Sequence, residues 1–156
     1  MIALLHIDIG GIQIRVKLYS DGGARGNPGD AAFAFIICTD EGRIIKENSR
    51  YIGVSTNNEA EYSGLLAGLE EAWNLGALEV EVIMDSELVI KQIRREYRVK
   101  ARNLKPYYDE VTKRISDFKK VTFTHVKRDE PMISRADASL NQELDDHELL
   151  KKIKKN

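Results

Sequence analysis

Four carboxylates in this chain stand at positions that could carry chemistry. Asp21 lies in Ser20-Asp21-Gly22-Gly23, Glu61 in Thr56-Asn57-Asn58-Glu59-Ala60-Glu61-Tyr62, Asp85 in Met84-Asp85-Ser86, and Asp137 in Arg135-Ala136-Asp137. Asp21, Glu61 and Asp85 fall where a strand ends or a helix begins, and in an α/β sheet such ends converge on one edge. A buried carboxylate is costly, and several close together repel one another. Bound divalent cations relieve both penalties, and an all-oxygen donor set suits Mg²⁺ or Mn²⁺. The chemistry this points to is metal-dependent phosphodiester cleavage. Each residue also has a plainer reading. Asp21 before two glycines suits a turn, Asp85-Ser86 suits a helix cap, and Asp137 suits an exposed helical charge. Glu61 could simply favour a helix N-terminus. Their joint occurrence in one order is what selects the metal reading.

The elements that must position these groups can be read from periodicity. Residues 12–19 alternate apolar and polar side chains, as a half-buried strand does. The glycine-rich stretch 22–29 then reads as a turn. Phe33 to Cys38 is a continuous apolar strand, and Asp40-Glu41-Gly42 turns the chain into a third strand over about 43–50. Residues 58–75 form the strongest helical pattern, with Thr56, Asn57 and Asn58 as cap candidates and Gly76 as the stop. A strand over 79–84, helices over 88–97 and 105–118, a strand over 121–126 and a terminal helix over about 134–150 complete the order. This order predicts an α/β fold: a mixed five-stranded sheet, three strands as an antiparallel meander and the rest parallel, flanked by helices.

Helical phase separates the two glutamates of the long helix. Glu61, Leu65, Gly68 and Ala72 share one face, whose other members are apolar or small and must pack on the sheet. Glu59 points nearly opposite, beside Glu70, and is expected to be solvated.

Bulk properties are ordinary for a single globular domain: 156 residues, 42% hydrophobic, 31% charged, and a net charge of -1. Overall charge therefore does not indicate a nucleic-acid partner. Cys38 is the only cysteine and lies in an apolar run, so a buried thiol in a reducing cytoplasm is expected, with no intrachain disulfide. The apolar opening Met1 to Asp8 is short and lacks a basic leader, so neither a signal peptide nor a membrane span is expected. Residues 1–11 read as an N-terminal extension, 12–150 as the domain and 151–156 as a basic tail. Asp8 precedes Ile9-Gly10-Gly11 but lacks a following Gly-Asn-Pro turn, so it is set aside.

Asp21-Gly22-Gly23, Gly26-Asn27-Pro28-Gly29, Thr56-Asn57-Asn58 with Ala60-Glu61-Tyr62, Asp85-Ser86 and Arg135-Ala136-Asp137 together resemble type 1 ribonuclease H, in the compact form without a basic protrusion. The resemblance runs from about Val16 to Leu140. It implies the ribonuclease H-like fold and endonucleolytic hydrolysis of the RNA strand in RNA/DNA hybrids by a two-metal-ion mechanism, leaving 5′-phosphate and 3′-hydroxyl ends. It implies that Asp21, Glu61, Asp85 and Asp137 match the catalytic, metal-binding tetrad, with Mg²⁺ or Mn²⁺ as cofactor and Asp21 bridging the two ions. It further implies that Gly22, Asn27, Thr56, Asn57, Asn58 and Ser86 contact nucleic acid, since short amides suit base edges and ribose 2′-hydroxyls. A monomeric protein is expected.

The chain departs from the family pattern in three places. Ile133 stands four residues before Asp137 where asparagine is common, and Arg128 lies nine before rather than seven. The loop 129–133 has no histidine, and His125, inside a strand pattern, reads as structural. Residues 88–120 are too short for a basic protrusion, yet Lys91, Arg94, Arg95, Arg98, Lys100, Arg102 and Lys105 cluster there with only Glu96 opposing them. That segment suits phosphate neutralisation or a solvated face equally. Trp73 is expected in the core. The alternatives to a hybrid-cleaving enzyme are a catalytically silent hybrid-binding module and a same-fold nuclease acting on structured DNA.

Overall fold

The computed structural model describes residues 14–156, so the expected extension at 1–11 lies outside the described residues. Five strands form one sheet: β1 (Arg15–Gly26), β2 (Gly29–Thr39), β3 (Ile44–Ser55), β4 (Glu79–Met84) and β5 (Lys120–His125). Helices α1 (Asn57–Asn74), α2 (Glu87–Ile93), α3 (Lys105–Ile115) and α4 (Pro131–Lys155) fill the connections and the C-terminus. The sheet order is β3-β2-β1-β4-β5. The first three strands pair antiparallel, and β1·β4 and β4·β5 pair parallel, which is the mixed sheet the element order predicts.

β2 is apolar at every position from Ala31 to Cys38 because both its faces are covered. Phe33, Phe35 and Ile37 enter the core beneath α1, with Leu65 and Leu69. Ala32, Ala34, Ile36 and Cys38 face α4, where Ile133, Ala136, Leu140 and Leu144 cover them. Cys38 is fully buried, and burial pushes its thiol pKa up, as an inert structural cysteine requires.

Several elements differ from the sequence reading. The glycine-rich stretch is not a turn: β1 continues through it, paired to β2 from Val16↔Thr39 to Gly26↔Gly29. The reversal is confined to Asn27-Pro28, a cis peptide. The reason is close packing, because a Cβ on Gly22 would sit 2.3 Å from the Ala60 carbonyl carbon, so only glycine lets α1 lie this near the strand. β3 extends to Ser55 rather than ending near 50, and α2 stops at Ile93 rather than 97. α4 starts earlier than expected, at Pro131, and runs to Lys155, so most of the basic stretch 151–156 is helical. Lys151 is pinned there, its Nζ 2.6 Å from Asp30 Oδ2. Trp73 is not core: it is 51% exposed, its ring edge-on to Phe118 at 5.8 Å. Among the described residues no helix is long and apolar enough to cross a membrane.

Candidate active site

β1 and β4 bring two of the carboxylates level with each other. Their parallel pairing ends at Tyr19↔Ile83. Asp21 and Asp85 each lie two residues beyond that pair, so strand alternation places them side by side on the same face. β1 carries on with β2 alone, and a crevice opens at the point where β4 leaves it.

Glu61 reaches the same crevice from α1. Thr56 caps this helix: its Oγ1 accepts from Glu59 N–H at 3.1 Å, while Glu59 Oε1 accepts from Thr56 N–H at 2.8 Å. Glu59 is therefore not a solvated charge but half of a capping box. Glu61 faces inward with Leu65, Gly68 and Ala72, as helical phase requires, and is 9% exposed. Asp21 is 5% exposed. Oxygen atoms from Asp21, Glu61 and Asp85 all lie within 4.8 Å of one another.

The electrostatics of this trio are unfavourable without a cation. Burial, then the charge of Asp85, push the Asp21 pKa from 3.8 to about 7; the hydrogen bonds with Glu61 and Gly22 N–H pull the other way. Burial, followed by Asp21 and Asp85, pushes Glu61 well above its ordinary value. Gly22 N–H donates to Asp21 Oδ1 at 2.9 Å, but buried Glu61 Oε1 has no hydrogen-bond partner among the described residues. Three clustered carboxylates, two of them buried and one oxygen orphaned, are the donor set a hard divalent cation takes. The residues fit a divalent metal.

Asp137 stands outside the 4.8 Å group. It nevertheless lines the same concavity of about 330 Å³, and its charge contributes to raising Asp21. Gly22, Asn57 and Asn58 line this hollow as well. Asn27, Thr56 and Ser86 do not. Asn27 Oδ1 accepts from Asn57 N–H at 3.0 Å, and Asn57 Oδ1 from Ala24 N–H at 2.8 Å, so these amides lock the β1–β2 turn to the start of α1. Ser86 caps α2, with Oγ 3.4 Å from Val89 N. His125 Nε2 lies 3.2 Å from the Asp85 carbonyl oxygen, which can only accept, so Nε2 donates to it.

Arg25 and Asn141 also line the hollow and escape the sequence reading, and Arg128, noted in the sequence only for its altered spacing from Asp137, lines it too. Arg25 sits in the stretch read as a turn, and the lengthened loop carries Arg128 back to the hollow. Asn141 is one helical turn past Asp137, the one signal that points to it.

The profile of the reverse transcriptase-like family matches residues 19–138. The ribonuclease HI of Halobacterium salinarum is 38% identical over 154 residues, covering 92% of this chain and 70% of that protein. The crystal structure of RNase H1 from the same organism superposes with a TM-score of 0.80 at 37% identity, covering 85% of this chain and 98% of that one. A bifunctional protein of Mycobacterium tuberculosis is 40% identical over 116 residues, 74% of this chain and 32% of its own length. The chain thus spans about a third of the length of that mycobacterial relative. The crystal structure of LC11-RNase H1 in complex with an RNA/DNA hybrid superposes with a TM-score of 0.80 at 36% identity, covering 85% of this chain and 98% of that one. With the mixed sheet, the level pair Asp21 and Asp85 and the buried Glu61 in place, these matches show that the chain belongs to the ribonuclease HI family.

Proposed function

We propose that this protein is a divalent-metal-dependent endoribonuclease that hydrolyses the RNA strand of RNA/DNA hybrids, leaving 5′-phosphate and 3′-hydroxyl ends. The observation that carries this reading is the trio Asp21, Glu61 and Asp85, gathered within 4.8 Å at the mouth of the crevice. A relative of the same fold, LC11-RNase H1, has been crystallised with an RNA/DNA hybrid, which supports that substrate class. Asp21, Glu61, Asp85 and Asp137 would hold Mg²⁺ or Mn²⁺, the ions that oxygen-only ligands favour. When bound, such ions neutralise the scissile phosphate and activate water for in-line attack.

The chain's own residues set the substrate. Asn27 and Asn57 spend their oxygens on backbone N–H groups, which leaves each Nδ2 as the donor offered to base edges and 2′-hydroxyls. Asn58 lies beside Asn57 in the hollow, and Gly22 lines it where β1 and α1 meet. Thr56 and Ser86 accept from helix N–H groups, and their hydroxyl protons can still donate to phosphate. The protein works as a monomer in the cytoplasm; the compartment is supported by the one cysteine, Cys38, which is buried and unpaired.

The test is a panel of end-labelled RNA/DNA, RNA/RNA and DNA/DNA duplexes and four-way DNA junctions, incubated with Mg²⁺, Mn²⁺ or EDTA. Cleavage of the RNA strand in the hybrid alone, abolished by EDTA, is expected. Hybrid bound but uncut at every metal concentration would identify a silent binding module. Preferential cutting of junctions would identify a nuclease of structured DNA.

A further inference from the structure

Asp137 is the one carboxylate of the four outside the close group. Ile133, one turn before it, is fully buried in the apolar layer beneath α4. One turn after it stands Asn141. Asn141 Nδ2 donates to the Asp137 carbonyl oxygen at 2.9 Å and lies 3.3 Å from Asp137 Oδ1. On the other side of the amide, Arg25 Nη2 donates to Asn141 Oδ1 at 3.2 Å and to the Asn141 carbonyl oxygen at 3.3 Å.

Arg25 is itself held from two sides. Its Nη2 lies 2.7 Å from Asp145 Oδ1, and its Nη1 lies 2.8 Å from Glu148 Oε1. Asp137, Asn141, Asp145 and Glu148 recur at i, i+4, i+8 and i+11, one stripe of α4 turned toward β1. The amide of Asn141 has one workable orientation between these partners. Flipped, it would set NH₂ against the guanidinium and a carbonyl oxygen against the carboxylate, so both contacts would become repulsive.

We propose that Asn141, oriented by Arg25, is a positioning residue for Asp137, holding its carboxylate turned into the crevice so that it completes the metal site. The inference rests on the function proposed above. Asn141, braced by Arg25 from β1, takes over from one turn downstream a task that the apolar Ile133 cannot perform from one turn upstream. A ligand side chain already fixed by a hydrogen bond loses less rotamer freedom when it meets a cation, so removing the fixing group weakens metal binding.

The test uses the full chain as wild type, Asn141→Ala, Arg25→Ala, Asp137→Asn and the double variant Asp137→Asn/Asn141→Ala. Three quantities are read: the Mn²⁺ concentration for half-maximal hybrid cleavage, the rise in Tm as Mn²⁺ is titrated into metal-free protein, and hybrid affinity in EDTA. Asn141→Ala is expected to raise both Mn²⁺ midpoints by about 10-fold. Arg25→Ala shifts them in the same direction by less. Hybrid affinity in EDTA stays at the wild-type value in both, and Asn141→Ala adds nothing to Asp137→Asn. Unchanged midpoints in Asn141→Ala beside an inactive Asp137→Asn would overturn the relay and leave the proposed function standing. The same Tm-midpoint shift in both backgrounds, or hybrid affinity lost in EDTA on Arg25→Ala, would also overturn it. Undiminished cleavage by Asp137→Asn would contradict the functional assignment of Asp137, and the relay with it.

Discussion

Asp21 and Glu61 are buried acids whose ionised forms the fold disfavours, and this fixes the sign of their pH dependence. The Asp21 carboxyl goes from 3.8 to about 7 on folding, so between those values the native protein binds more protons than the unfolded chain. Its stabilising contribution is complete below the lower value and is lost as pH rises through the upper one. Glu61 acts in the same sense. In EDTA, Tm should therefore fall across pH 4–7 more steeply in wild type than in Asp21→Asn, and Asp21→Asn should be the more stable of the two at pH 8. Mn²⁺ should stabilise wild type more at pH 8 than at pH 5. Identical pH slopes for the two proteins, followed by calorimetry, would remove the electrostatic account of the trio. The choice of Glu61 over Glu59 was legible because helical phase is a local property. The capping role of Glu59 lies in the spacing Thr56-x-x-Glu59, but helical phase alone made it a solvated charge. Asn141 and Arg25 were not legible, since their significance depends on a contact between residues 116 positions apart.

The docking of α1 on β1 sets where Glu61 stands, and it depends on small residues in both elements. Gly22 contacts the Ala60 backbone, and a Cβ on Gly68 would meet Leu18 Cδ1 at 2.5 Å. Gly22→Ala should cost about 1–3 kcal/mol in urea unfolding, and it should lower cleavage as the helix start moves away from Asp21. Unchanged stability would mean that α1 is not seated this tightly. Thr56→Ala removes one side of the capping box and should cost about 1 kcal/mol by the same measurement. These contacts explain why Gly22 reads as part of a turn in the sequence and lies in a strand in the fold: local preference yields to a packing requirement visible only across 38 residues, from Gly22 to Ala60. α4 teaches the converse. Beyond Leu144 it is fastened by polar groups, with Lys151 on Asp30, His147 stacked on Tyr51 at 3.7 Å, and Arg25 on Glu148. Apolar periodicity cannot reveal such contacts, so the helix was read too short.

The five strands and their division into an antiparallel meander and a parallel half were legible because they follow from element order and handedness rather than from side-chain detail. Charge distribution across the molecule is legible only in part. A net charge of -1 hides a basic segment from Lys91 to Lys105. There Lys91 is paired to Glu87 and Lys105 to Asp109, while Arg94 hydrogen-bonds the Phe123 carbonyl. Arg95, Arg98, Lys100 and Arg102 remain without an ion pair among the described residues, and Arg98 lines a hollow with Tyr97 and Tyr108. If this face meets phosphates, Arg98→Ala should weaken hybrid binding similarly for all sequences and reduce the slope of log affinity against log salt by about 1. A slope equal to wild type, measured by fluorescence anisotropy, would make the segment a solvated face. The central claim is that Asp21, Glu61 and Asp85 form one divalent-metal site that cuts the RNA of hybrids. Its most direct test is single-turnover cleavage of a labelled RNA/DNA hybrid in Mg²⁺ or Mn²⁺ by wild type and Asp85→Asn, with hybrid affinity in EDTA and Tm measured alongside. The account predicts EDTA-sensitive product from wild type and none from Asp85→Asn, with affinity and fold retained; full cleavage by a folded Asp85→Asn would contradict it.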